Sequence, residues 1–275
     1  MSTTELLLNS LFAASILMGI GWLHATKVRN ASYVDVLWGI GVGALGLYYL
    51  ATAPQNANPI RMDILKTMLT IWTLRYTFHL LIRSWNHPED ARYAYFRNWM
   101  GKHQNWGFFL FFQIQATWIV MFASPFIILA NNTTSMAVID YAGVALWALS
   151  FAGLNIADFQ LANFKNQPGR TRADVCTTGL WKYSRHPNYF FEWLLWCSYI
   201  LLGWNALNGP YLWLIPPILL FFLLKLTGIP FVEARKLESS GENYRRYIET
   251  TSIFIPWFRE RKRIGEHLTD DTYKT

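Results

Sequence analysis

Long apolar runs separated by short polar segments constrain this chain more than any other feature of its sequence. About 20 mainly apolar residues are enough for a helix to cross the hydrocarbon core of a bilayer. The runs cover roughly residues 6–23, 33–53, 64–82, 108–130, 136–156, 189–204 and 211–230. The sequence therefore predicts an all-α, polytopic membrane bundle of about seven transmembrane helices. We expect one integral membrane domain over residues 1–275, with a tail at 231–275.

The distribution of Lys and Arg predicts the orientation of the bundle. Of the 24 Lys and Arg residues, 20 fall in the loops after the first, third and fifth runs or in the tail. On the opposite side, Arg61 is the only Lys or Arg residue in the loops between the runs. Basic loops stay in the cytoplasm. We therefore expect the N-terminus outside and the tail inside, in the inner membrane of a bacterium or the endoplasmic reticulum of a eukaryote.

The composition argues against other classes of protein. Only 15% of the residues are charged, whereas soluble domains have about 25%. The net charge of +7 follows the predicted membrane topology, so no nucleic-acid partner is expected. Cys176 lies in a predicted cytoplasmic loop and Cys197 in a predicted span, so we expect neither a disulfide nor a zinc site. No basic residue precedes the first run, so no cleavable signal peptide is predicted.

A glycine-rich segment in the second run has the spacing of a dinucleotide-binding motif. Gly41, Gly43 and Gly46 form a G-x-G-x-x-G pattern, two residues after Gly39. A dinucleotide fingerprint needs a preceding strand, and these glycines lie inside an apolar run. Small residues there are typical of close helix packing, which is the function we predict for them.

Polar residues within the second and third runs are candidates for a substrate cavity. An ionisable side chain in mid-membrane is costly and usually faces the bundle interior or a wet cavity. A structural ion pair between Asp35 and Arg75, and extension of His79 and Arg83 to the interface, are the simpler alternatives. We predict a cavity whose catalytic candidates are Asp35, Arg75, Tyr76 and His79.

Two cytoplasmic segments have a simple surface interpretation. Residues 89–93 (Glu-Asp-Ala-Arg-Tyr) are expected to form a solvated loop with local ion pairs. The tail from 233 to 257 fits an amphipathic helix on the inner leaflet. It equally fits a lid that contributes cations to a cofactor, and both interpretations stay open.

The densest group of polar residues lies between 155 and 192. Asn188 and Glu192 are four residues apart, so they share one face near the start of a predicted span. Cations beside acidic and amide groups suit a ligand with phosphates and an amide. Loop charge and helix capping would explain the arginines, but not Glu192. The candidate binding residues are Asn155, Asp158, Lys165, Arg170, Arg172, Tyr183, Arg185, His186, Asn188, Tyr189 and Glu192, with Glu233, Lys236 and Tyr247 from the tail.

Several of these motifs resemble one known family. The run 179–189 with Glu192, the Asp158-x-Gln160 motif with Lys165, and the ending 251–257 resemble the steroid 5-alpha-reductase C-terminal domain. They are most similar to its bacterial branch of uncharacterised membrane proteins. Further similarities to that branch lie at residues 35–39, 74–75 and 89–93.

The resemblance implies a seven-helix bundle that reduces a carbon–carbon double bond conjugated to a ketone. It implies NADPH as the cofactor, bound from the cytoplasmic side. Asn188 and Glu192 match the residues that hold the nicotinamide end, and Asp158 matches an Asp of the cofactor site. Lys165 stands where the family has Arg. Lys236 falls near a cationic position of the C-terminal cap.

The substrate end departs from the family pattern. Steroid-reducing members use a Glu and a Tyr to polarise the ketone and donate a proton. Asp35 stands near the position of the Glu, but Trp72 falls where the Tyr would be. Tyr76 and His79 are possible substitutes one turn away. We therefore expect a hydrophobic enone, steroid-like or another lipid, as the substrate.

Two other functions fit parts of the sequence. Membrane methyltransferases of the isoprenylcysteine and phospholipid type share an Arg-His-Pro-x-Tyr run and use S-adenosylmethionine. That cofactor has no phosphate, so the cations Lys165, Arg170 and Arg172 favour NADPH. A non-enzymatic lipid-binding protein is the second alternative, and the polar residues within its predicted spans argue against it.

Overall fold

The computed structural model describes residues 2–85, 87–226 and 228–258, and these residues are helical apart from turns, loops and one isolated β-bridge. The described helices are α1 (Thr3–Val28), α2 (Tyr33–Ala51), α3 (Pro59–Ser84), α4 (Ala91–Met100), α5 (Gln104–Ala123), α6 (Pro125–Ala130), α7 (Val138–Lys165), α8 (Pro187–Leu202), α9 (Ile215–Phe221) and α10 (Ile229–Thr250). Short 3₁₀ turns occupy Gly101–His103, Gly179–Lys182 and Gly209–Leu214, and a π-helical turn occupies Phe222–Leu226. The all-α prediction is confirmed for this part of the chain.

Within the described residues, five helical segments are long and apolar enough to cross a membrane. They are Thr3–Val28, Tyr33–Ala51, Ala91–Ala130, Val138–Lys165 and Gly209–Thr250. The other two predicted spans, 64–82 and 189–204, fall in α3 and α8. Helix α3 carries Lys66 and Arg75, and α8 has only 16 residues. The last segment is apolar only in its first part, and from Glu233 onward it is rich in charge.

The chain folds into two compact units. The first unit contains Met1–Ala145 and Cys197–Pro217, and the second contains Leu146–Trp196 and Ile218–Thr275. The substrate-cavity candidates belong to the first unit, and the predicted cofactor residues belong to the second.

Glycines bring α2 close to its neighbours in the first unit. A Cβ atom at Gly46 would lie 2.6 Å from Leu69 of α3 and 2.8 Å from Phe126 of α6. A Cβ atom at Gly41 would lie 2.6 Å from Ile119 of α5. The glycine-rich segment therefore serves helix packing, as predicted.

A buried arginine fastens the beginning of α3. The prediction that Arg61 lies in a loop is wrong, because Asn58 caps α3 and the helix already begins at Pro59. Arg61 is fully buried and forms two hydrogen bonds with the Asp140 carboxylate, at 3.0 and 3.1 Å. It also donates to the carbonyl oxygens of residues 132, 134 and 135. This guanidinium therefore ties the 131–137 loop to the starts of α3 and α7.

Removal of either partner in the Arg61–Asp140 pair should strongly destabilise the protein. Breaking a buried pair leaves one uncompensated charge, at a cost of about 3–5 kcal/mol. Arg61→Met and Asp140→Asn should therefore each lower the free energy of unfolding by several kcal/mol, and the double variant, which leaves no uncompensated charge, should lose no more than either single variant. Chemical unfolding of the detergent-purified protein measures this.

Arg83 provides a matched control, because it pairs with Asp90 at 2.7 Å but its side chain is 63% exposed. Exposed pairs contribute about 0–1 kcal/mol, so Arg83→Met should change little. Additive losses in the Arg61/Asp140 double variant would contradict the account of a coupled pair.

Candidate functional site

The second unit contains a parallel contact between a loop and the C-terminal tail, which we call the tail clamp (residues 183–185 against 252–257). Ser184 and Ser252 form its β-bridge. The Arg185 amide donates to the Ser252 carbonyl at 2.8 Å, and the Trp257 amide donates to the Tyr183 carbonyl at 2.9 Å. The Ser184 hydroxyl donates to the carbonyl of residue 254 at 2.8 Å. Three backbone positions of the tail are therefore fixed against the loop that leads into α8.

Arg185 lies at the centre of the tail clamp. Its side chain is buried and donates to the carbonyl oxygens of Thr251 at 2.6 Å and Ile248 at 3.1 Å. Its Nε atom donates to Glu233 at 2.6 Å. Tyr247 is buried beside it and donates to the carbonyl oxygens of residues 181 and 184. Both predicted cofactor residues therefore hold the loop and tail together.

Glu233 and His186 complete this buried network. His186 Nε2 lies 3.2 Å from Glu233 Oε1, and the His186 ring stacks on Tyr189. Burial lowers the pKa of His186, against the opposing effect of the Glu233 carboxylate. Burial alone would raise the pKa of Glu233, but His186 and Arg185 bring it down to about 2. Glu233 is therefore an ionised acceptor shared by its neighbours.

A row of half-buried polar side chains follows on α7 and α8. Asn188 donates to Asp158 Oδ1 at 3.0 Å, and its own Oδ1 accepts from the Tyr189 amide at 3.0 Å. One turn further along α8, Glu192 Oε1 accepts from the Trp196 indole at 3.2 Å. The structure thus places Asp158 beside Asn188 and orients the Asn188 amide and the Glu192 carboxylate. Such oriented groups can bind a polar planar ligand through hydrogen bonds.

Asn155 lies one turn before Asp158 on α7. Its side-chain amide donates to the Phe151 carbonyl at 2.6 Å, so it contacts its own helix.

Three predicted cations come together near the end of α7. Burial lowers the pKa of Lys236, and the positive charges of Arg170 and Lys165 lower it further. The Arg170 guanidinium lies 4.9 Å above the Phe164 ring. Its Nε atom is buried and has no hydrogen-bond partner among the described residues. Like charges repel one another, so this cation cluster (Lys165, Arg170, Lys236) favours an anionic ligand.

Arg172 is not part of the cation cluster, because its charge is not among those that lower the pKa of Lys236. Its side chain is exposed, and its carbonyl accepts a hydrogen bond from Ser240 at 3.0 Å. Tyr183 is half-buried, with its carbonyl in the tail clamp and its ring beside Phe258.

A cleft of about 480 Å³ adjoins Arg170. Eight residues between 164 and 177 line it, together with Asn243 and Arg246 of α10, and they are Phe164, Gln167, Pro168, Gly169, Arg170, Asp174, Val175 and Thr177. Asp174 faces it with a carboxylate that accepts from the Thr171 amide at 2.6 Å and from the Thr171 hydroxyl at 3.1 Å. This volume lies in the usual range for ligand sites.

Sequence reasoning missed Phe164, Asp174, Asn243 and Arg246 in the cleft. The tail pair Arg245-Arg246 was visible as charge, but only the fold shows that Arg246 faces the cleft.

Asp35 in the first unit has partners that we did not predict. Its carboxylate accepts from Arg92 at 2.9 Å and from the Tyr93 hydroxyl at 2.7 Å. Tyr93 is only 3% exposed. The expectation that residues 89–93 form a solvated loop is therefore wrong, because this segment folds back onto the start of α2.

Further contacts fasten the same segment. The Ala31 amide donates to Glu89 at 2.7 Å, and the Asp90 amide donates to the Ser32 hydroxyl at 2.8 Å. Arg97 holds both oxygens of Glu89, at 2.7 and 2.8 Å. The segment from Glu89 to Arg97 thus holds the turn between α1 and α2.

The remaining substrate-cavity candidates lie on α3. Tyr76 stacks on Trp72 with ring centres 5.1 Å apart, and the ring centre of Trp38 lies 5.7 Å from that of Tyr76. Arg75 and Tyr76 are half-buried, whereas His79 is exposed at the protein surface. These side chains lie along one part of α3, and their catalytic role stays a prediction.

Comparison with known proteins identifies the family of this chain. The model of the family described as a protein of unknown function, DUF1295, matches residues 21–251. The match covers more than half of the sequence, and the chain belongs to this family.

Two relatives give the family context. An uncharacterised protein of Schizosaccharomyces pombe is 28% identical over 274 residues, covering 90% of this chain and 78% of the relative. Mouse 3-oxo-5-alpha-steroid 4-dehydrogenase 1 is 29% identical over 116 residues, covering 42% of this chain and 41% of that protein. No solved structure matches the chain significantly.

These relatives support the predicted resemblance to the steroid 5-alpha-reductase family. The yeast relative does not support the predicted bacterial branch.

The pH dependence of stability should reveal the Glu233 network. The pKa of Glu233 is about 2 in the folded protein, against an ordinary value of 4.5. A lowered carboxyl pKa stabilises the fold above pH 4.5, and this stabilisation is lost as the pH falls towards 2. Glu233→Gln should therefore lower Tm at pH 7, and its difference from wild type should shrink below pH 4.5. Thermal unfolding between pH 3 and 7 measures this.

Glu238, exposed on the same helix, provides the control, because Glu238→Gln should leave Tm near that of wild type at every pH. A wild-type Tm that matches Glu233→Gln at pH 7 would show that the network contributes no stability.

Proposed function

We propose that this member of the DUF1295 family is a membrane-embedded, NADPH-dependent reductase of the C=C bond in a hydrophobic enone, either steroid-like or another lipid. The mouse relative is named as a 3-oxo-5-alpha-steroid 4-dehydrogenase, which is an oxidoreductase. The apolar helices make the chain an integral membrane protein, so a lipid-soluble substrate has direct access to it.

The cation cluster beside the cleft carries this proposal. NADPH has a pyrophosphate and a 2′-phosphate, whereas S-adenosylmethionine has no phosphate. Cations placed around phosphates form short, strong, charge-assisted hydrogen bonds. Lys165, Arg170 and Lys236 have the charge that this ligand needs, and Arg170 lines the cleft.

The row of polar groups supports the nicotinamide end of the same cofactor. A nicotinamide carboxamide has both a hydrogen-bond donor and an acceptor, which the Asn188 amide and the Glu192 carboxylate can match. Asp158 holds Asn188 in place, and Trp196 holds Glu192. When bound, NADPH supplies the hydride, so no protein nucleophile is needed.

Binding groups in the first unit would act on the substrate. Reduction of an enone adds a hydride at the β-carbon and a proton at the α-carbon, so the carbonyl must be polarised. We propose that Arg75, Tyr76 and His79 polarise the carbonyl or deliver the proton. Asp35 is held by Arg92 and Tyr93, so we propose that it positions the start of α2.

The proposed topology has seven spans, in which α3 and α8 cross the membrane in addition to the five segments that are long and apolar enough to do so. The N-terminus would lie outside the cytoplasm and the tail inside. This orientation rests on the distribution of Lys and Arg, and it gives the cation cluster access to cytoplasmic NADPH.

Cofactor binding to the detergent-purified protein tests the proposal. A ligand at 100 times its Kd stabilises the folded state by about 2.7 kcal/mol. NADPH should therefore raise Tm clearly, NADH should raise it less, and S-adenosylmethionine should leave it unchanged. A shift with S-adenosylmethionine alone would favour the methyltransferase alternative. No shift with any of them would favour a non-enzymatic lipid-binding protein.

Lys236 and its neighbour Arg235 allow a matched test of the cation cluster. Lys236→Gln should weaken NADPH binding by between about tenfold and a hundredfold, because a hydrogen bond to a charged group contributes about 1.5–3 kcal/mol and each 1.4 kcal/mol is a factor of about ten. Arg235 is exposed on the same helix, and Arg235→Gln should leave the Kd unchanged. Titration of NADPH fluorescence measures both constants. Equal Kd values for the two variants would remove Lys236 from the site.

A further inference from the structure

The end of the described tail exposes a row of large apolar side chains, which we call the tail strip (residues 253–258). Ile253, Ile255, Trp257 and Phe258 are 41%, 59%, 68% and 78% exposed. Phe254, between the first two, is 6% exposed. This alternation is typical of an extended segment with one face against the protein.

The backbone of the tail strip is fixed, so the exposure of its side chains is imposed by the fold. The carbonyl of residue 254 accepts from the Ser184 hydroxyl, and the Trp257 amide donates to the Tyr183 carbonyl. Phe254 packs against Phe190 and Trp193 of α8, with ring centres 5.7 and 5.9 Å apart. The tail clamp therefore turns Ile253, Ile255 and Trp257 outward.

The position of the tail strip indicates what covers it. Its buried Phe254 contacts the first turns of α8, where the apolar run of that helix begins. Tryptophan and tyrosine side chains accumulate at the ends of transmembrane helices, beside the lipid headgroups. In the proposed topology the start of α8 is such an end. The exposed Lys182 lies above the neighbouring Tyr183 ring, at 5.6 Å. In the sequence, Arg259, Arg261, Lys262 and Arg263 follow directly.

We infer that the tail strip docks into the headgroup layer of the cytoplasmic leaflet. Its apolar side chains would enter the boundary with the acyl chains, and anionic headgroups would neutralise Lys182. Amphipathic segments followed by cations bind anionic membranes in this way. The inference rests on the proposed topology and does not depend on the reductase activity.

A second copy of the chain is a weaker explanation for this surface. A stable protein interface uses roughly 20–30 residues on each side, whereas the tail strip offers a single row of four exposed apolar side chains. Docking to lipid needs no larger complementary surface. It would also fix residues 183–185, which lead directly into Asn188 of the proposed cofactor site.

Spin labels can measure the depth of the tail strip in a bilayer. Ile253→Cys, Ile255→Cys and Trp257→Cys would each be made with Cys176→Ala and Cys197→Ala, labelled with a nitroxide and placed in nanodiscs. Asn166→Cys, at an exposed loop position of the same unit, is the water-facing control. Power saturation compares collisions with oxygen, which concentrates in lipid, and with a water-soluble nickel chelate.

We expect oxygen collisions to exceed nickel collisions at 253, 255 and 257, and the reverse at 166. Nickel accessibility equal to that of position 166 would overturn the inference, because the strip would then lie in water. Low accessibility to both reagents, with spin–spin broadening, would overturn it in favour of a second copy.

Lipid charge provides the second arm of the experiment. Nanodiscs of phosphatidylcholine with about one third phosphatidylglycerol should place the three labels deeper than phosphatidylcholine alone, because anionic lipids attract cations to the membrane surface. Equal depth in both lipids would overturn the role of anionic headgroups. NADPH binding of the same labelled variants is measured separately, so failure of the inference is distinguishable from failure of the proposed function.

Discussion

The buried guanidinium of Arg185 is the interaction on which the second unit depends. It joins the loop before α8, the beginning of α10 through Glu233, and the carbonyl oxygens at the end of α10. A buried charge is tolerated only when it is paired and hydrogen-bonded, and Arg185 meets both conditions. Because this one side chain holds three segments, it also fixes where α8, the helix of Asn188 and Glu192, begins. It likewise fixes where the tail leaves α10.

Charge in this protein serves two distinct purposes. Arg61, Arg92 and Arg185 are matched by carboxylates and carbonyl oxygens, so they hold segments together. In the cation cluster, burial lowers the pKa of Lys236 and the charges of Arg170 and Lys165 lower it further. Hydrogen bonds from Thr171 lower the pKa of Asp174, and the charge of Arg170 also lowers it. An arrangement that costs electrostatic energy without a ligand is typical of a functional site. The position of three cations at one end of α7, beside a cleft that Arg170 lines, is why we place the cofactor phosphates there.

Sequence patterns predicted the local features well and the long-range partners poorly. Each apolar run falls on one or more helices, although α4 lies outside all of them and the run 211–230 is divided among α9, two turns and the start of α10. The glycines of α2 were correctly interpreted as packing residues, because helix formation and packing of small residues depend on near neighbours in the chain. Residue types in a loop do not reveal which side chains turn inward, so the Tyr93–Asp35 contact and the buried Arg61 were missed. Nor does the sequence reveal that the polar atoms of Arg185 and Tyr247 hold the protein together, and their grouping with ligand-binding residues stays a prediction.

Transfer of a labelled hydride is the measurement that tests the central claim most directly. The protein in nanodiscs would be incubated with NADPH deuterated at the transferable position of C4 and with a panel of steroid and lipid enones, then analysed by mass spectrometry. The account predicts a product in which the β-carbon carries one deuterium and the α-carbon has gained a proton from water. Absence of deuterium from every enone, with transfer of a labelled methyl group from S-adenosylmethionine to a lipid, would contradict it.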